Sequence, residues 1–203
     1  MTPDDRARFI RDHLHLAPVP GLPELTAWTA HPRSGLSILE EDAAPYWAYL
    51  WPGGAGLIRH LLLHPEVVAG RRVLDLGAGS GLAGIAAARA GAASVLCADP
   101  SDMARAACLL NAEANGVHVE VAARAEGRFD IVLAGDVFYD ETIAAALWPR
   151  LQTHAAQGAT VLIGDIGRRC LPEGLRPLAE YEVKDVGDGP STPPCRATVY
   201  TPA

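Results

Sequence analysis

Short apolar runs alternate with longer amphipathic stretches through the middle of the chain. Each run is short enough for a buried strand and is bounded by glycine, proline, asparagine or aspartate. The pattern predicts strands at residues 72–76, 94–99, 117–122, 129–136 and 159–165.

Between these runs the apolar residues recur with helical spacing, which predicts helices at 82–91, 101–115 and 141–154. Strands separated by helices predict a parallel sheet with right-handed crossovers. The last two apolar runs, 181–186 and 196–200, are joined by a turn without a helix, which indicates an antiparallel pair at one edge. We therefore predict an α/β fold with a doubly wound, Rossmann-like, seven-stranded sheet, mostly parallel with an antiparallel edge strand.

The first 45 residues follow a different pattern. Phe9, Ile10 and Leu14 suit one short amphipathic helix, and three prolines between residues 17 and 25 prevent a second helix. We interpret residues 1–45 as a short helical and irregular cover over a main domain at 46–203. At the start of that domain, Pro52 and two glycines open a further helix.

Composition limits the classes of partner. The 203 residues suit one domain, and 49% hydrophobic against 20% charged residues excludes global disorder. The net charge of −7 argues against a nucleic-acid partner, which favours a basic face. We expect no membrane partner, because no apolar run approaches the roughly 20 residues that cross a bilayer. The start of the chain also lacks the apolar segment of a signal peptide.

The four cysteines show neither a CxxC motif nor a zinc-like spacing with histidine. We expect free thiols in a reducing cytoplasm and no metal site, while a Cys170–Cys195 bridge stays open.

A glycine-rich turn follows the first strand of the alternating region, in the sequence VLDLGAGSGLAG at 73–84. Gly77 permits the turn, Gly79 lets a ligand approach the backbone, and Gly81 permits close packing where a helix begins. The dinucleotide spacing G-x-G-x-x-G is met only by a frame that leaves Gly77 unused. The frame D-x-G-x-G-x-G uses every glycine of the turn and includes Asp75.

The acids at the ends of the first two strands point to a cofactor. A carboxylate at Asp75 suits the ammonium of an amino-acid-like ligand, and it also suits the amides of the loop itself. The ligand that combines an ammonium, a ribose and a sulfonium is S-adenosylmethionine. Asp99 ends the second strand, where it can accept ribose hydroxyls. The alternative for Asp99 is an acid at a helix N-terminus ahead of Pro100.

Acidic and aromatic residues follow the fourth strand, in the sequence GDVFYD at 135–140. Asp136 and Tyr139 are expected in the crevice of the glycine turn, because ligands bind beyond the carboxyl ends of parallel strands. They can align an amine, and we predict catalytic roles for both; we interpret Asp140 as a helix cap. Trp51 precedes the Pro-Gly-Gly turn and is a candidate wall of the cofactor pocket.

These segments together resemble class I S-adenosylmethionine-dependent methyltransferases. More narrowly, the chain is similar to lysine methyltransferases of the electron-transfer-flavoprotein β-subunit type and their bacterial homologues. The segments that carry this resemblance are PYWAYLWPGG, VLDLGAGSGLAGIAAARAGA, LLNAEANGV, LAGDVFYD and LIGDIGRRCLP. The resemblance implies that the acceptor lysine enters near Asp136 and Tyr139. It also implies that Gly77, Gly79 and Asp99 bind the cofactor. With the residues singled out above, we predict a cofactor site formed by Trp51, Asp75, Gly77, Ala78, Gly79, Gly81, Asp99 and Pro100.

The resemblance implies an N-methyltransferase that converts S-adenosylmethionine to S-adenosylhomocysteine without a metal. The expected partner is a protein that carries a target lysine. A small-molecule amine or a ribosomal protein is the alternative acceptor, and a nicotinamide-dependent oxidoreductase or a non-catalytic adenosine-binding module is the alternative class. The sequence departs from the family after the third strand, where Ala123 and Arg124 replace the usual acid that meets the adenine amine. Either Glu126 takes that role, or backbone and apolar contacts hold the adenine.

Overall fold

A seven-stranded sheet organises the computed structural model, which describes residues 1–36, 45–185 and 191–203. The strands lie in the order β5-β4-β3-β6-β7-β9-β8. Strands β3 to β7 run parallel, β9 is antiparallel to both of its neighbours, and β8 forms the edge. The predicted α/β sheet with an antiparallel edge pair is confirmed. Its strands are β3 Arg72–Leu76, β4 Ser94–Ala98, β5 Glu120–Ala122, β6 Ile131–Gly135, β7 Thr160–Asp165, β8 Leu175–Val183 and β9 Cys195–Pro202.

The helices of the described residues cover both faces of this sheet, as a doubly wound fold requires. Leu74 and Leu76 pack with Leu151 of α5 on one face, while Val73 packs with Leu57 of α2 on the other. The alternation follows from the two-residue period of a strand. The helices are α1 Pro3–His13, α2 Pro52–Leu63, α3 Leu82–Arg89, α4 Asp102–Ala114 and α5 Glu141–Ala156.

Two predicted strands differ in length from the observed ones. Strand β5 is limited to Glu120–Ala122, shorter than the predicted run. Strand β8 begins at Leu175, six residues before the prediction. The sequence pattern did not predict this part of β8, because it contains polar residues and Pro177. An edge strand tolerates both. The register of the pairing with β9 shifts between Pro177 and Ala179. The predicted end of the strand at Val186 and the start of the following turn lie outside the described residues.

The interpretation of the N-terminal segment as a helix followed by irregular cover is wrong in its second part. An antiparallel hairpin of β1 (His15–Val19) and β2 (Leu22–Thr29) follows α1. Each strand of a two-stranded ribbon has a free edge, so prolines are tolerated there, and Gly21 turns the chain with a φ of +76°. The boundary drawn at residue 45 adjoins residues 37–44, which lie outside the described residues.

Helix α2 approaches the sheet unusually closely through glycines. A Cβ on Gly53 would collide with the carbonyl oxygen of Gly164 in β7, and one on Gly135 in β6 would meet the Cα of Gly54 at 3.0 Å. Further along the helix, a Cβ on Gly56 would meet the Cβ of Ala197 in β9 at 2.6 Å. The N-terminus of α2 is therefore held against the carboxyl ends of β6 and β7.

None of the helices in the described ranges combines the length and apolar character needed to span a membrane. The four cysteines form no disulfide in this structure.

Candidate active site

The candidate site is a crevice at the carboxyl ends of β3, β4 and β6. The sheet order reverses there, because β4 lies on one side of β3 and β6 on the other. The loop at 77–81 follows β3, Asp99 follows β4, and residues 136–139 follow β6. This is the position at which open α/β sheets bind ligands.

The glycine loop takes a shape that needs glycine at three positions. The φ angles of Gly77, Gly79 and Gly81 are +71°, +52° and +76°. The amides of Gly77 and Ala78 both donate to the carbonyl oxygen of Ala98, at 2.9 and 3.2 Å, which anchors the loop to β4. Ala78 therefore acts in this loop through its backbone.

The glycines of the loop differ in what surrounds them. A Cβ on Gly81 would collide with the thiol of Cys108 in α4, so this glycine is required by the packing of the loop against α4. A Cβ on Gly79 would meet only the Cα of Trp47, at 3.7 Å. The surface beside Gly79 is therefore open, and its backbone is accessible to a ligand. The loop fits the close approach of S-adenosylmethionine.

Asp99 is a partly buried acid that already organises the loop. One carboxylate oxygen accepts from the Gly79 amide at 2.9 Å, and the other accepts from the Ser101 amide at 2.9 Å. Burial raises the pKa of Asp99, while these amides and Arg105 oppose the rise. Each oxygen keeps a second lone pair, so the carboxylate can also accept ribose hydroxyls. The neighbouring Pro100 is exposed, and its carbonyl accepts from Arg105 at 2.9 Å.

Asp75 is fully enclosed under the loop. Its side chain is 2% exposed and accepts from the Gly84 amide at 2.8 Å, at the start of α3. Burial raises the pKa of this carboxyl to about 7. The structure thus gives Asp75 a structural role, and its partner is an amide in the first turn of α3 rather than an amide of the loop.

The raised pKa of Asp75 predicts a pH-dependent stability. Because the folded state binds the proton more tightly than the unfolded state, stability falls as pH rises from about 4 to about 7. Asp75→Asn keeps an acceptor for Gly84 and carries no charge. We expect the stability of this variant relative to wild type to rise across that window, by about 4 kcal/mol of unfolding free energy at pH 8. Melting temperatures of the two proteins, compared at each pH, measure this difference.

Asp130 serves as a control because its pKa is shifted in the opposite direction. Hydrogen bonds from Arg72 lower it to about 2. Asp130→Asn should be less stable than wild type by an amount that stays constant between pH 5 and 8. A constant difference for Asp75→Asn as well would contradict the raised pKa.

Asp136 is the only non-glycine residue of the described ranges with a positive φ, +56°. Its amide donates to the carbonyl oxygen of Gly164 at 2.9 Å, so β7 helps to hold this conformation. Left-handed backbone at a non-glycine residue is costly and concentrates at functional sites. The strained turn directs a carboxylate that is 8% exposed toward the N-terminus of α2.

Both oxygens of the Asp136 carboxylate accept hydrogen bonds from neighbouring groups. Gly54 donates a short backbone hydrogen bond to one oxygen, and Arg168 forms an ion pair with the other. Burial raises the pKa of Asp136, while the charge of Arg168 opposes that rise most strongly. Asp136 therefore lies in the predicted crevice, as one half of an ion pair.

Arg168 is a site residue that the sequence interpretation missed. It lies after β7 and also pairs at 3.1 Å with Asp165, whose side chain is fully buried. Asp165 in turn accepts from the amides of Gly167 and Arg168, both at 2.8 Å. The available signal was the position of Asp165 at a strand end, equivalent to those of Asp99 and Asp136.

Replacing Arg168 by methionine should leave two buried carboxylates without their cation. We expect a loss of about 3 kcal/mol of stability. The pKa of Asp136 should rise further, so the acidic limb of any activity that needs its charge should move to higher pH. Arg169→Met is the matched control, because Arg169 is 85% exposed and pairs with Glu141, which is 74% exposed. Equal melting temperatures for the two variants would contradict this interpretation.

Aromatic side chains line the other side of the crevice. The Trp51 indole donates to the carbonyl oxygen of Tyr46 at 3.1 Å, and the two ring centroids are 5.6 Å apart. Tyr139 lies 5.1 Å from Tyr46, and both phenols are nearly half exposed. Trp51 is therefore connected to Tyr139 through Tyr46. The atom that a Cβ on Gly79 would meet belongs to a different tryptophan, Trp47.

Asp140 caps α5, because its side chain accepts from the amides of Thr142 and Ile143. This confirms the cap interpretation. Glu126, the candidate adenine partner, is exposed after β5, as are Ala123 and Arg124.

Asn111 of α4 is a second residue that sequence reasoning missed. It is fully buried, donates to the carbonyl oxygen of Ser80 at 2.9 Å and accepts from the Trp28 amide at 2.8 Å. It thereby joins the glycine loop to the N-terminal hairpin. Its only sequence signal was a polar residue on the apolar face of a predicted helix.

Within residues 1–36, 45–185 and 191–203, no group of three or more histidine, cysteine or acidic side chains could hold a metal ion.

The sheet order, the glycine loop and the acid after β4 define the class of S-adenosylmethionine-dependent methyltransferases. A solved ribosomal protein L11 methylase from Lactobacillus delbrueckii subsp. bulgaricus has the same fold, with a TM-score of 0.52, 24% identity, and coverage of 70% of this chain and 76% of that one. Magnesium protoporphyrin IX methyltransferase from Synechocystis PCC 6803, solved with bound S-adenosylmethionine, superposes with a TM-score of 0.50 at 18% identity, covering 72% and 76%.

The family model for ribosomal protein L11 methyltransferase (PrmA) matches residues 61–166. The electron transfer flavoprotein beta subunit lysine methyltransferase of Xenopus laevis is 37% identical over 194 residues, which cover 87% of this chain and 78% of that protein. The rat protein of the same name is 41% identical over 153 residues, covering 70% of this chain. The match spans 60% of the rat protein's length. The chain belongs to the family of electron transfer flavoprotein beta subunit lysine methyltransferases, as the sequence resemblance predicted.

Proposed function

We propose that this protein transfers methyl groups from S-adenosylmethionine to lysine side chains of the electron transfer flavoprotein beta subunit. The observation that carries the proposal is the crevice itself, where the open backbone at Gly79 and the acid Asp99 lie at the same edge of the sheet as the segment at 136–139. Relatives named for this activity match at 41% identity in rat and 44% in mouse.

In this proposal Gly77, Ala78 and Gly79 contact the cofactor through their backbone, and Asp99 accepts the ribose hydroxyls. Asp75 shapes the loop from beneath, and Gly81 packs it against α4. When bound, the cofactor supplies a methyl group on a sulfonium, which is already a strong leaving group. The protein's contribution is then mainly positioning, which can be worth effective molarities of roughly 10⁵–10⁸ M.

Asp136 acts on the acceptor side. Lysine must arrive neutral, although its free pKa is about 10.4. The Asp136 carboxylate, held by Gly54 and Arg168, stabilises the positive charge that develops on the nitrogen in the transition state. A carboxylate held in place by a backbone amide and a guanidinium is a fixed source of negative potential rather than a mobile base. Asp136 therefore orients and stabilises, and the proton leaves to water.

The proposal is tested by incubating the protein with S-adenosylmethionine and purified electron transfer flavoprotein. Intact mass measurement should show methyl additions on the beta subunit, and peptide mapping should place them on lysine. Because the protein carries a net charge of −7, the acceptor segment should be cationic and the rate should fall with added salt. An unmodified beta subunit at enzyme and cofactor excess would refute this acceptor.

Ribosomal protein L11 is the second candidate acceptor. The PrmA family model matches this chain, and a Lactobacillus delbrueckii ribosomal protein L11 methyltransferase is 35% identical over 114 residues. Parallel incubation with L11 separates the two acceptors: labelling of L11 alone would replace the target and preserve the reaction.

A further inference from the structure

A chain of hydrogen bonds through one side chain links the glycine loop to the N-terminal hairpin. The side-chain nitrogen of Asn111 in α4 donates to the carbonyl oxygen of Ser80 at 2.9 Å, and its side-chain oxygen accepts from the Trp28 amide at 2.8 Å. Asn111 is fully buried, so water does not compete for either bond. One side chain therefore binds the backbone of the loop and the backbone of β2 at the same time.

The loop needs such support, because the glycines on both sides of Ser80 leave its backbone easy to deform. The carbonyl of Ser80 and the amide of Gly81 belong to one planar peptide unit. Asn111 binds the carbonyl end of this unit, and the Gly81 amide donates to the carbonyl oxygen of Ala78 at 2.7 Å. Without Asn111, the unit is held at its amide end only and can rotate. The shape of the backbone beside Gly79 therefore depends on Asn111.

The hairpin sets the orientation of the Asn111 side-chain amide. A backbone N–H bonds only to an acceptor, so the Trp28 amide selects the side-chain oxygen and leaves the NH₂ group facing Ser80. A flipped amide would place two donors together at Trp28 and two acceptors together at Ser80, and both arrangements are costly. The docked hairpin thus determines which group Asn111 presents to the loop.

A second asparagine binds the hairpin one turn further along α4. Asn115 accepts from the Thr26 amide at 3.0 Å and donates to the Thr26 carbonyl at 2.6 Å and to the Asn111 carbonyl at 2.7 Å. Residues four apart on a helix are separated by about 6.0 Å along its axis. Alternate residues of a strand are separated by about 6.6 Å. The two asparagines therefore match Thr26 and Trp28, and the side chain of Asn115 binds the hairpin and its own helix.

The hairpin also supports the segment beside Gly79. The amide of Ala30, directly after β2, donates to the carbonyl oxygen of Ala48 at 3.0 Å. The residue before Ala48 is Trp47, whose Cα is the atom that a Cβ on Gly79 would meet, at 3.7 Å. Groups that the hairpin holds in place thus lie against two neighbouring residues of the loop, Gly79 and Ser80.

We propose that Asn111 is a positioning residue for the cofactor, and that it couples S-adenosylmethionine affinity to the docking of the hairpin on α4. The inference rests on the proposed function for the identity of the cofactor. Asn111 acts through Ser80, by holding the loop in the shape that opens the Gly79 backbone to the ligand. Because coupling between two sites is reciprocal, the bound cofactor in turn stabilises the docked hairpin.

The first test is a calorimetric titration of two matched variants with S-adenosylmethionine, below their melting transitions. Asn111→Leu has a similar volume and removes both bonds, so we expect binding to weaken roughly 10-fold. Asn115→Leu is the control, because it removes the bonds to Thr26 and leaves the chain through Asn111 intact. It should melt at a lower temperature and bind the cofactor as wild type does. Unchanged affinity in Asn111→Leu, or an equal loss in both variants, would overturn the role of Asn111.

The second test needs no variant and measures amide hydrogen exchange in wild type. Saturating S-adenosylmethionine should slow exchange at the Trp28 amide several-fold, although this amide belongs to the hairpin. The Gly158 amide, which donates to the Ala155 carbonyl at 2.9 Å beyond α5, is the control for general stabilisation. An unchanged rate at Trp28, or equal slowing at both amides, would overturn the coupling.

A measurement without cofactor separates this inference from the proposed function. In ligand-free protein, exchange at the Gly81 amide should be several-fold faster in Asn111→Leu than in wild type and in Asn115→Leu. If wild type binds no S-adenosylmethionine, the proposed function fails, and this comparison decides whether Asn111 positions the loop. Equal Gly81 rates in the three proteins would overturn that role.

Discussion

Asp136→Asn should lower the methylation rate by roughly 10²-fold or more while cofactor affinity changes little. The expected loss matches removal of one preorganised electrostatic contact, about 3 kcal/mol in the transition state. Asparagine, like aspartate, tolerates the left-handed backbone better than most non-glycine residues, so the φ of +56° is retained. Cofactor affinity is spared because Asp136 lies on the acceptor side of the crevice.

The structure also predicts a stability cost for this variant. The two oxygens of Asp136 accept from Gly54 and from Arg168, so an amide group placed there must turn its NH₂ toward one of these donors. We expect a loss of about 1–3 kcal/mol. Rate must therefore be measured per folded molecule, below the melting transition.

Asp140→Asn is the matched control, four residues away. Asp140 caps α5 by accepting from the Thr142 and Ile143 amides, and asparagine caps a helix as well as aspartate does. This variant should be nearly silent in both rate and melting temperature. If Asp136→Asn shows only the stability loss and turns over normally, Asp136 is a structural anchor and has no part in methyl transfer.

The parts of this molecule that the sequence predicted are those governed by local patterns. Strands β3, β4, β6 and β7 are short apolar runs between helices, and each begins and ends within two residues of its prediction. The glycine loop could be predicted equally well, because glycine is the residue type favoured at a positive φ, and Gly77, Gly79 and Gly81 all have one.

The parts that the sequence did not reveal depend on contacts between distant segments. Arg168 and Asp136 are separated by 32 residues, and their pairing follows from the adjacency of β6 and β7. The N-terminal hairpin was missed because prolines ordinarily argue against strands, whereas a ribbon with two free edges accommodates them. The sequence alone shows Asn111 only as a polar residue within a helix. Its role depends on the glycine loop and the hairpin, which provide its two hydrogen-bond partners.

The second large expected effect is a loss of cofactor affinity when Gly79 is replaced. A Cβ there would meet only the Trp47 Cα at 3.7 Å, so a larger side chain enters the open crevice rather than the core. Gly79→Val should therefore leave the protein folded while S-adenosylmethionine affinity falls by more than roughly 10²-fold. The backbone strain of a β-branched residue at this φ of +52° costs roughly 1–3 kcal/mol.

Gly116→Val separates that strain from the effect on the ligand. Gly116 has a φ of +64° and nothing within 4 Å of its Cβ position, so the same substitution costs similar strain at the end of α4. Both variants should melt at similarly lowered temperatures, and only Gly79→Val should lose cofactor binding in a calorimetric titration. The same titration of wild type with NAD should show much weaker binding. Tighter binding of NAD than of S-adenosylmethionine, or normal cofactor affinity in Gly79→Val, would contradict the assignment of this loop to the methyl donor.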